Sequence, residues 1–272
     1  MTATATVAET MPNGLIDYRA EGGVAVFELN DPPANTYTHE MMRDLDEAIL
    51  KARFDDSVHV IVIRGAGEKF FCAGANIRML QAVTPQFKYF FCLHANETLI
   101  RLEQTPKLVI AALNGHCVGG GLEIAMAADI RIACRGAGKV GLPEVNLGVL
   151  PGTGGTQRLC RIVGKSKAIE LMVTGRTFEF EEALELDIVN AIYEKDDFWP
   201  RVLEYAKQFV PPAKAAKAVG RIKRSVQTGY EIPLDEALAL ERELQQQLFQ
   251  SEDAKEGITA YVNKKPAHFK GC

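Results

Sequence analysis

The six cysteines, at positions 72, 92, 117, 134, 160 and 272, include no C-x-x-C pair, and the five histidines include no H-E-x-x-H. Dithiol redox chemistry and a zinc-protease-type metal site both lack the ligand spacing they need. Most of the cysteines stand inside apolar runs, where a reduced thiol acts as a small hydrophobe. Neither Cys72 nor Cys117 has a His/Asn arrangement around it that would make it a nucleophile, and His116 reads as a packing or turn-bonding residue. An excess of basic charge is missing too: 31 Lys and Arg stand against 35 Asp and Glu, a net charge of -4. Such a chain has no general attraction to nucleic acid or anionic membrane, and the small cluster Arg221, Lys223 and Arg224 falls short of a phosphate-binding face.

Targeting signals are absent from the sequence as given. Residues 1–13, MTATATVAETMPN, have neither an apolar signal core nor the arginines of a transit peptide and read as a flexible tail. The expected location is the cytoplasm, with a processed mitochondrial-matrix protein as the alternative. Nucleotide-binding spacings fail as well. GKS at Gly164 to Ser166 would need a glycine five positions before Gly164 to make a P-loop, and Leu159 stands there. PGTGGTQRL lacks the GxGxxG spacing of a dinucleotide site; its Thr153 and Thr156 are expected to cap the helix that follows.

What is present is an apolar fraction of 47% over 272 residues, enough for a large core in one domain with an extension or in two small domains. Short apolar runs alternate with amphipathic ones: VAVFEL from Val24, a helix near 39–53, VHVIVIR from Val58, a helix near 85–103, LVIAAL from Leu108, and DIRIAC from Asp129. That alternation is an α/β pattern, and periodicity alone does not choose among α/β architectures. From about Trp199 strands give way to helices, punctuated by Pro211, Pro212 and Pro233, with leucines at 234, 238, 240, 244 and 248 suited to helix packing.

Two glutamates carry the chemistry. Glu123 lies in NGHCVGGGLEIAMAAD, read as a turn from Asn114 to Gly121 feeding a helix; Glu144 lies in GLPEVNLGVLPGTGG, with Pro143 at a first helical position. Acidic residues are common in first helical turns for dipole reasons alone. Glu123, however, is enclosed by Leu122, Ile124, Ala125 and Met126, and a carboxylate in such surroundings needs a partner or a function. Glycine at 120 lets the backbone approach a ligand closely, so that its N–H at a helix start can stabilise negative charge on a ligand oxygen.

A third segment, EKFFCAGANI, completes a set of three. FCAGANI, NGHCVGGGLEIAMAADIRIA and GLPEVNLGVLPGTGGTQRL, in this order and at these spacings, resemble the three motifs of the crotonase, or enoyl-CoA hydratase/isomerase, family, and the resemblance runs from about Gly14 to Lys270. It implies a spiral of repeated ββα units over 14–198 that holds the site. A C-terminal all-helical region over 199–272 would assemble trimers, or dimers of trimers, and complete a neighbouring site.

The resemblance further implies an oxyanion hole from the backbone N–H groups of Ala75 and Gly120, a water positioned by the amide of Gly152, and catalysis by Glu123 and Glu144. Ala73, Ala75, Asn76, Ile77 and Lys264 fall at substrate- or CoA-binding positions. Asn76 stands where many relatives have aspartate; its bland reading is a local turn cap. Residues between Arg78 and His94, among them Met79, Leu80, Phe87, Tyr89, Phe90 and Phe91, include part of the implied acyl wall. The expected activity is reversible hydration of a short-chain 2-trans-enoyl-CoA. No cofactor is implied, CoA being part of the substrate. The alternatives are a double-bond isomerase using Glu144 alone and, more remotely, an RNA-binding relative.

Overall fold

The computed structural model describes residues 8–272. In chain order its elements are β1 Glu9–Thr10, β2 Ile16–Glu21, β3 Val24–Leu29, α1 His39–Phe54, β4 Val60–Gly65, β5 Phe70–Cys72, α2 Ile77–Ala82, α3 Pro85–Glu103, β6 Leu108–Leu113, β7 His116–Val118, α4 Gly120–Met126, β8 Ile130–Cys134 and β9 Lys139–Gly141. They continue with α5 Gly155–Val163, α6 Lys165–Thr174, β10 Phe178–Glu179, α7 Phe180–Glu185, β11 Ala191–Tyr193, α8 Phe198–Lys207, α9 Ala216–Gly229, α10 Leu234–Phe249 and α11 Glu252–Val262.

The strands form two sheets. A seven-stranded sheet has the order β1-β2-β3-β4-β6-β8-β11, antiparallel through its first three strands and parallel from β3 onward. A four-stranded sheet of short strands has the order β10-β9-β7-β5. The apolar runs are continuous because the large sheet is buried on both faces. Phe27, Ile61, Ile63, Val109 and Ala111 face the main core with α1, α3 and the small sheet, while Val26, Val60, Val62 and Ile110 alternate onto α8 through Phe198 and Val202.

Helix starts follow capping chemistry. Thr38 accepts from the Met41 amide ahead of α1, and Thr84 accepts from Phe87 ahead of α3, which carries Pro85 at its first position. The last strand, β11, ends at Tyr193, and the described residues beyond it are helical or irregular.

Two expectations change. The tail expected over 1–13 is structured from Glu9, which pairs with Tyr18; residues 1–7 lie outside the described residues. Met11 is 4% exposed, and the buried Asp44 carboxylate accepts from the amides of Asn13 and Leu15, fastening this segment to α1. The turn expected from Asn114 to Gly121 contains β7, which pairs with β5 and β9; a three-residue strand flanked by glycines is too short to show a period.

Candidate active site

The site forms where the two sheets' loops meet. β5 ends at Cys72, and Gly74 turns the chain at φ +90, a backbone setting that favours glycine. Tyr37 pairs with this loop as a parallel bridge, its N–H donating to the Gly74 carbonyl and its carbonyl accepting from Asn76. In that pattern the intervening Ala75 amide points away from Tyr37. Gly120 opens α4 alongside: a Cβ built on Gly74 would stand 3.0 Å from the Gly120 nitrogen. A Cβ on Gly120 itself would meet the Tyr37 ring at 2.1 Å, so only glycine fits between that ring and the helix start. Among the described residues, neither the Ala75 nor the Gly120 amide has an acceptor.

Glu123, one turn into α4, is 1% exposed. Its Oε1 accepts from the amides of Thr153 at 2.7 Å and Gly155 at 2.6 Å. Burial raises its pKa, against the lowering effect of those two amides. Glu144 approaches from the other loop, its Oε1 3.0 Å from a Cβ built on Gly119. Its Oε2 is buried with no hydrogen-bond partner among the described residues. Burial, and then the neighbouring Glu123 charge, push this carboxyl up to about 7. Both carboxyls are thus raised by burial, and Glu123 has the amide donors of Thr153 and Gly155 to favour its ionised form.

The 151–155 turn that serves Glu123 is held from two directions. The buried Tyr37 hydroxyl lies 2.8 Å from the Thr153 Oγ1. Arg158 donates from Nη1 to the Thr153 carbonyl at 3.1 Å, while its Nε and Nη2 fork onto Glu103 at 2.7 and 2.8 Å. Gly152 sits beside Cys92 and Lys88: a Cβ there would meet the Cys92 sulfur at 3.0 Å and the Lys88 Nζ at 4.0 Å. Lys88 lies 5.0 Å over the Phe91 ring, and its charge lowers the pKa of both glutamates.

The fold thus brings together Ala75, Gly120, Glu123, Glu144 and Gly152. It does not bring Lys264 to them: that residue is exposed beyond the end of α11. Asn76 caps α2, its Oδ1 accepting from the Met79 amide, as a local turn cap does; Ala73 bonds to the Ala34 carbonyl, and Ile77 is exposed. Of the aromatics on α3, Phe91 is buried against Tyr37, whereas Phe87, Tyr89 and Phe90 are exposed.

Two local expectations fail. Glu144 opens a four-residue 3-10 helix, Glu144–Leu147, with Pro143 at its N-cap instead of its first turn. Thr153 and Thr156 do not cap α5, whose N-cap is Gly154 with no side-chain bond; the Thr153 hydroxyl is engaged by Tyr37 instead.

Cys72 and Cys117 are buried thiols, Cys72 pushed up to about 12 and Cys117 also raised, which keeps both protonated. His116 accepts from the Lys139 amide. Lys223 turns inward from the basic cluster to Asp129 at 2.9 Å, so no phosphate-facing triad exists there. No group of three His, Cys, Asp or Glu among the described residues could hold a metal.

Tyr37, Lys88, Cys92, Glu103 and Arg158 are neighbours of the site that sequence reasoning missed. A cavity of about 1150 Å3 is walled by Ile100, Met126, Leu150, Ile222 and Val226; Gly152 and Gly154 of the 151–155 turn line it, while Glu123 and Glu144 do not.

Two backbone N–H groups without acceptors, beside one buried and one half-buried carboxylate, make an arrangement that can polarise a carbonyl and move protons next to it. Residues 19–272 match the sequence profile of the enoyl-CoA hydratase/isomerase family. A short-chain-enoyl-CoA hydratase of Clostridium acetobutylicum is 39% identical over 90% of this chain and 93% of its own length. A crotonyl-CoA hydratase of Syntrophomonas wolfei is 34% identical over 92% and 95%. The crystal structure of an enoyl-CoA hydratase from Bacillus anthracis superposes with a TM-score of 0.89 at 30% identity, covering 95% of this chain and all of the other. The chain belongs to the enoyl-CoA hydratase/isomerase family, and its fold is the crotonase-like α/β fold with a C-terminal helical region.

Proposed function

We infer that the protein is an enoyl-CoA hydratase that adds water reversibly and syn across a short-chain 2-trans-enoyl-CoA to give a 3-hydroxyacyl-CoA. The observation that carries this reading is the unequal pair: Glu123 anchored by two amides beside Glu144, whose pKa stands at about 7. With the thioester oxygen at the Ala75 and Gly120 amides, negative charge developing on the enolate meets donors already in place. Glu123 takes a proton from the water whose oxygen bonds to C3, and Glu144 gives its proton to C2. In dehydration the two roles exchange. The chemistry needs only thioester and water, with CoA as part of the substrate.

The test is loss of enoyl absorbance on crotonyl-CoA for the parent, Glu123→Gln and Glu144→Gln. Both variants are expected to lose activity by about a hundredfold or more. Full activity in Glu123→Gln, together with turnover of 3-enoyl-CoA, would convert the reading to a double-bond isomerase working through Glu144 alone.

A second reading of the acyl group rests on Lys88. Its ammonium has no ion-pair partner among the described residues and stands at the Gly152 wall over Phe91. A short enoyl chain ending in a carboxylate would supply the missing anion. Glutaconyl-CoA separates the two readings: on the anionic-tail reading, Lys88→Met lowers kcat/KM for glutaconyl-CoA at least tenfold more than for crotonyl-CoA, whereas equal losses leave the uncharged short chain.

The assembly that accompanies this function is a trimer or a dimer of trimers. Exposed apolar side chains on α6 and α9, Ile169, Val173, Ile222 and Val226, support it.

A further inference from the structure

Every polar group of Thr153 is in use. Its amide donates to Glu123 Oε1, its hydroxyl meets the Tyr37 hydroxyl, and its carbonyl accepts from Arg158. Both Thr153 and Tyr37 are almost fully buried, at 1% and 2% exposure, so neither hydroxyl has water as a ready substitute partner. Three distant parts of the chain converge here. Tyr37 precedes α1, Glu103 ends α3, and Arg158 lies in the second turn of α5.

We propose that Thr153 is the positioning residue of the base, and that Tyr37 and the Arg158–Glu103 fork together hold its amide in register with the Glu123 carboxylate. This rests on Glu123 being the base, as proposed above. The physical reason lies in the direction of an amide donor. A peptide N–H weakens steeply as its angle opens, and the 151–155 turn has no helix or strand of its own until Gly155. The side-chain bond fixes the Thr153 rotamer and the guanidinium bond fixes its carbonyl; with both set, the peptide groups on either side have little freedom left. Burial raises the Tyr37 pKa well above its ordinary value, so its hydroxyl keeps its proton and the pair keeps a donor.

Loosening the turn weakens an amide bond that stabilises the ionised form of Glu123, so the carboxylate becomes harder to ionise. The acid limb of the rate profile then moves upward while the substrate's own contacts are left in place.

The experiment compares the pH dependence of kcat and the KM for crotonyl-CoA in the parent, Tyr37→Phe, Thr153→Val, Thr153→Ser, Arg158→Lys and Glu123→Gln. Tyr37→Phe and Thr153→Val are expected to lower kcat roughly tenfold on the acid limb, the size of one weakened hydrogen bond, with KM within about twofold. Their acid limbs move up by about one pH unit, since a unit corresponds to that same factor. Thr153→Ser keeps the hydroxyl and restores the limb. Arg158→Lys keeps the charge, loses the fork and moves the limb in the same direction, which keeps the test alive if either hydroxyl variant fails to fold. Parent-like limbs in Tyr37→Phe and Thr153→Val beside an inactive Glu123→Gln would overturn the positioning role alone. An active Glu123→Gln would overturn the assignment of the base on which it rests.

Discussion

Glu144 sets function against stability within a single residue. Its carboxyl is raised to about 7 in the folded protein from an ordinary 4.5, so the folded state binds more protons than the unfolded chain between those values. Stability from this group is therefore fully present below pH 4.5 and is lost as pH rises through 7. Glu144→Gln is expected to be more stable than the parent at pH 8 by about 1–3 kcal/mol, a gain that vanishes below the ordinary carboxylate range. Denaturant melts at both pH values check it. Both glutamates were legible in the sequence because glycines and apolar neighbours surround them. Tyr37 was not, because its role depends on a hydroxyl contact 116 positions away in the chain, and a tyrosine in an N-T-Y-T run shows no sign of it. Lys88 and Arg158 were hidden for the same reason: a charge on a helix reads as a solvated one until the packing places it.

At the scale of elements, the long strands and helices were readable and the short ones were not. α1, α3, β3 and β6 appear at their expected places because a doubly buried strand and an amphipathic helix each leave a long apolar signature. β7, the 3-10 turn at Glu144 and the entry to α5 are set by contacts with other segments, and local propensity misassigned each. Beyond the apolar packing of α8, α9 is tied to the core by an inward ion pair: Lys223 bonds to Asp129 and donates to the carbonyls of Leu102 and Lys107. Lys223→Ala leaves the Asp129 charge buried, and a loss of about 3–5 kcal/mol is expected in urea unfolding. The double variant Lys223→Met with Asp129→Asn is expected to recover part of that loss, since no uncompensated charge remains.

Among the apolar side chains that a single chain leaves exposed are those on α6, on α9 and in the 145–150 loop, Val145, Leu147, Val149 and Leu150 included. A single domain of this size rarely displays so much apolar surface without covering it. Light scattering is expected to return the mass of three or six chains. Val226→Glu, which puts a charge on the exposed face of α9, is expected to shift the population toward smaller species and to lower activity in proportion. A parent that runs as a monomer at micromolar concentration would remove the assembly from the functional reading.

The donors proposed at Ala75 and Gly120 are peptide groups. Point mutation replaces side chains, so on this proposal the polarising half of the site is inherited by nearly every variant, while the proposed proton carriers at 123 and 144 are free to vary. A library diversified at those two positions is therefore expected to explore reactions of acyl thioesters on a constant backbone platform, its members differing in where protons travel.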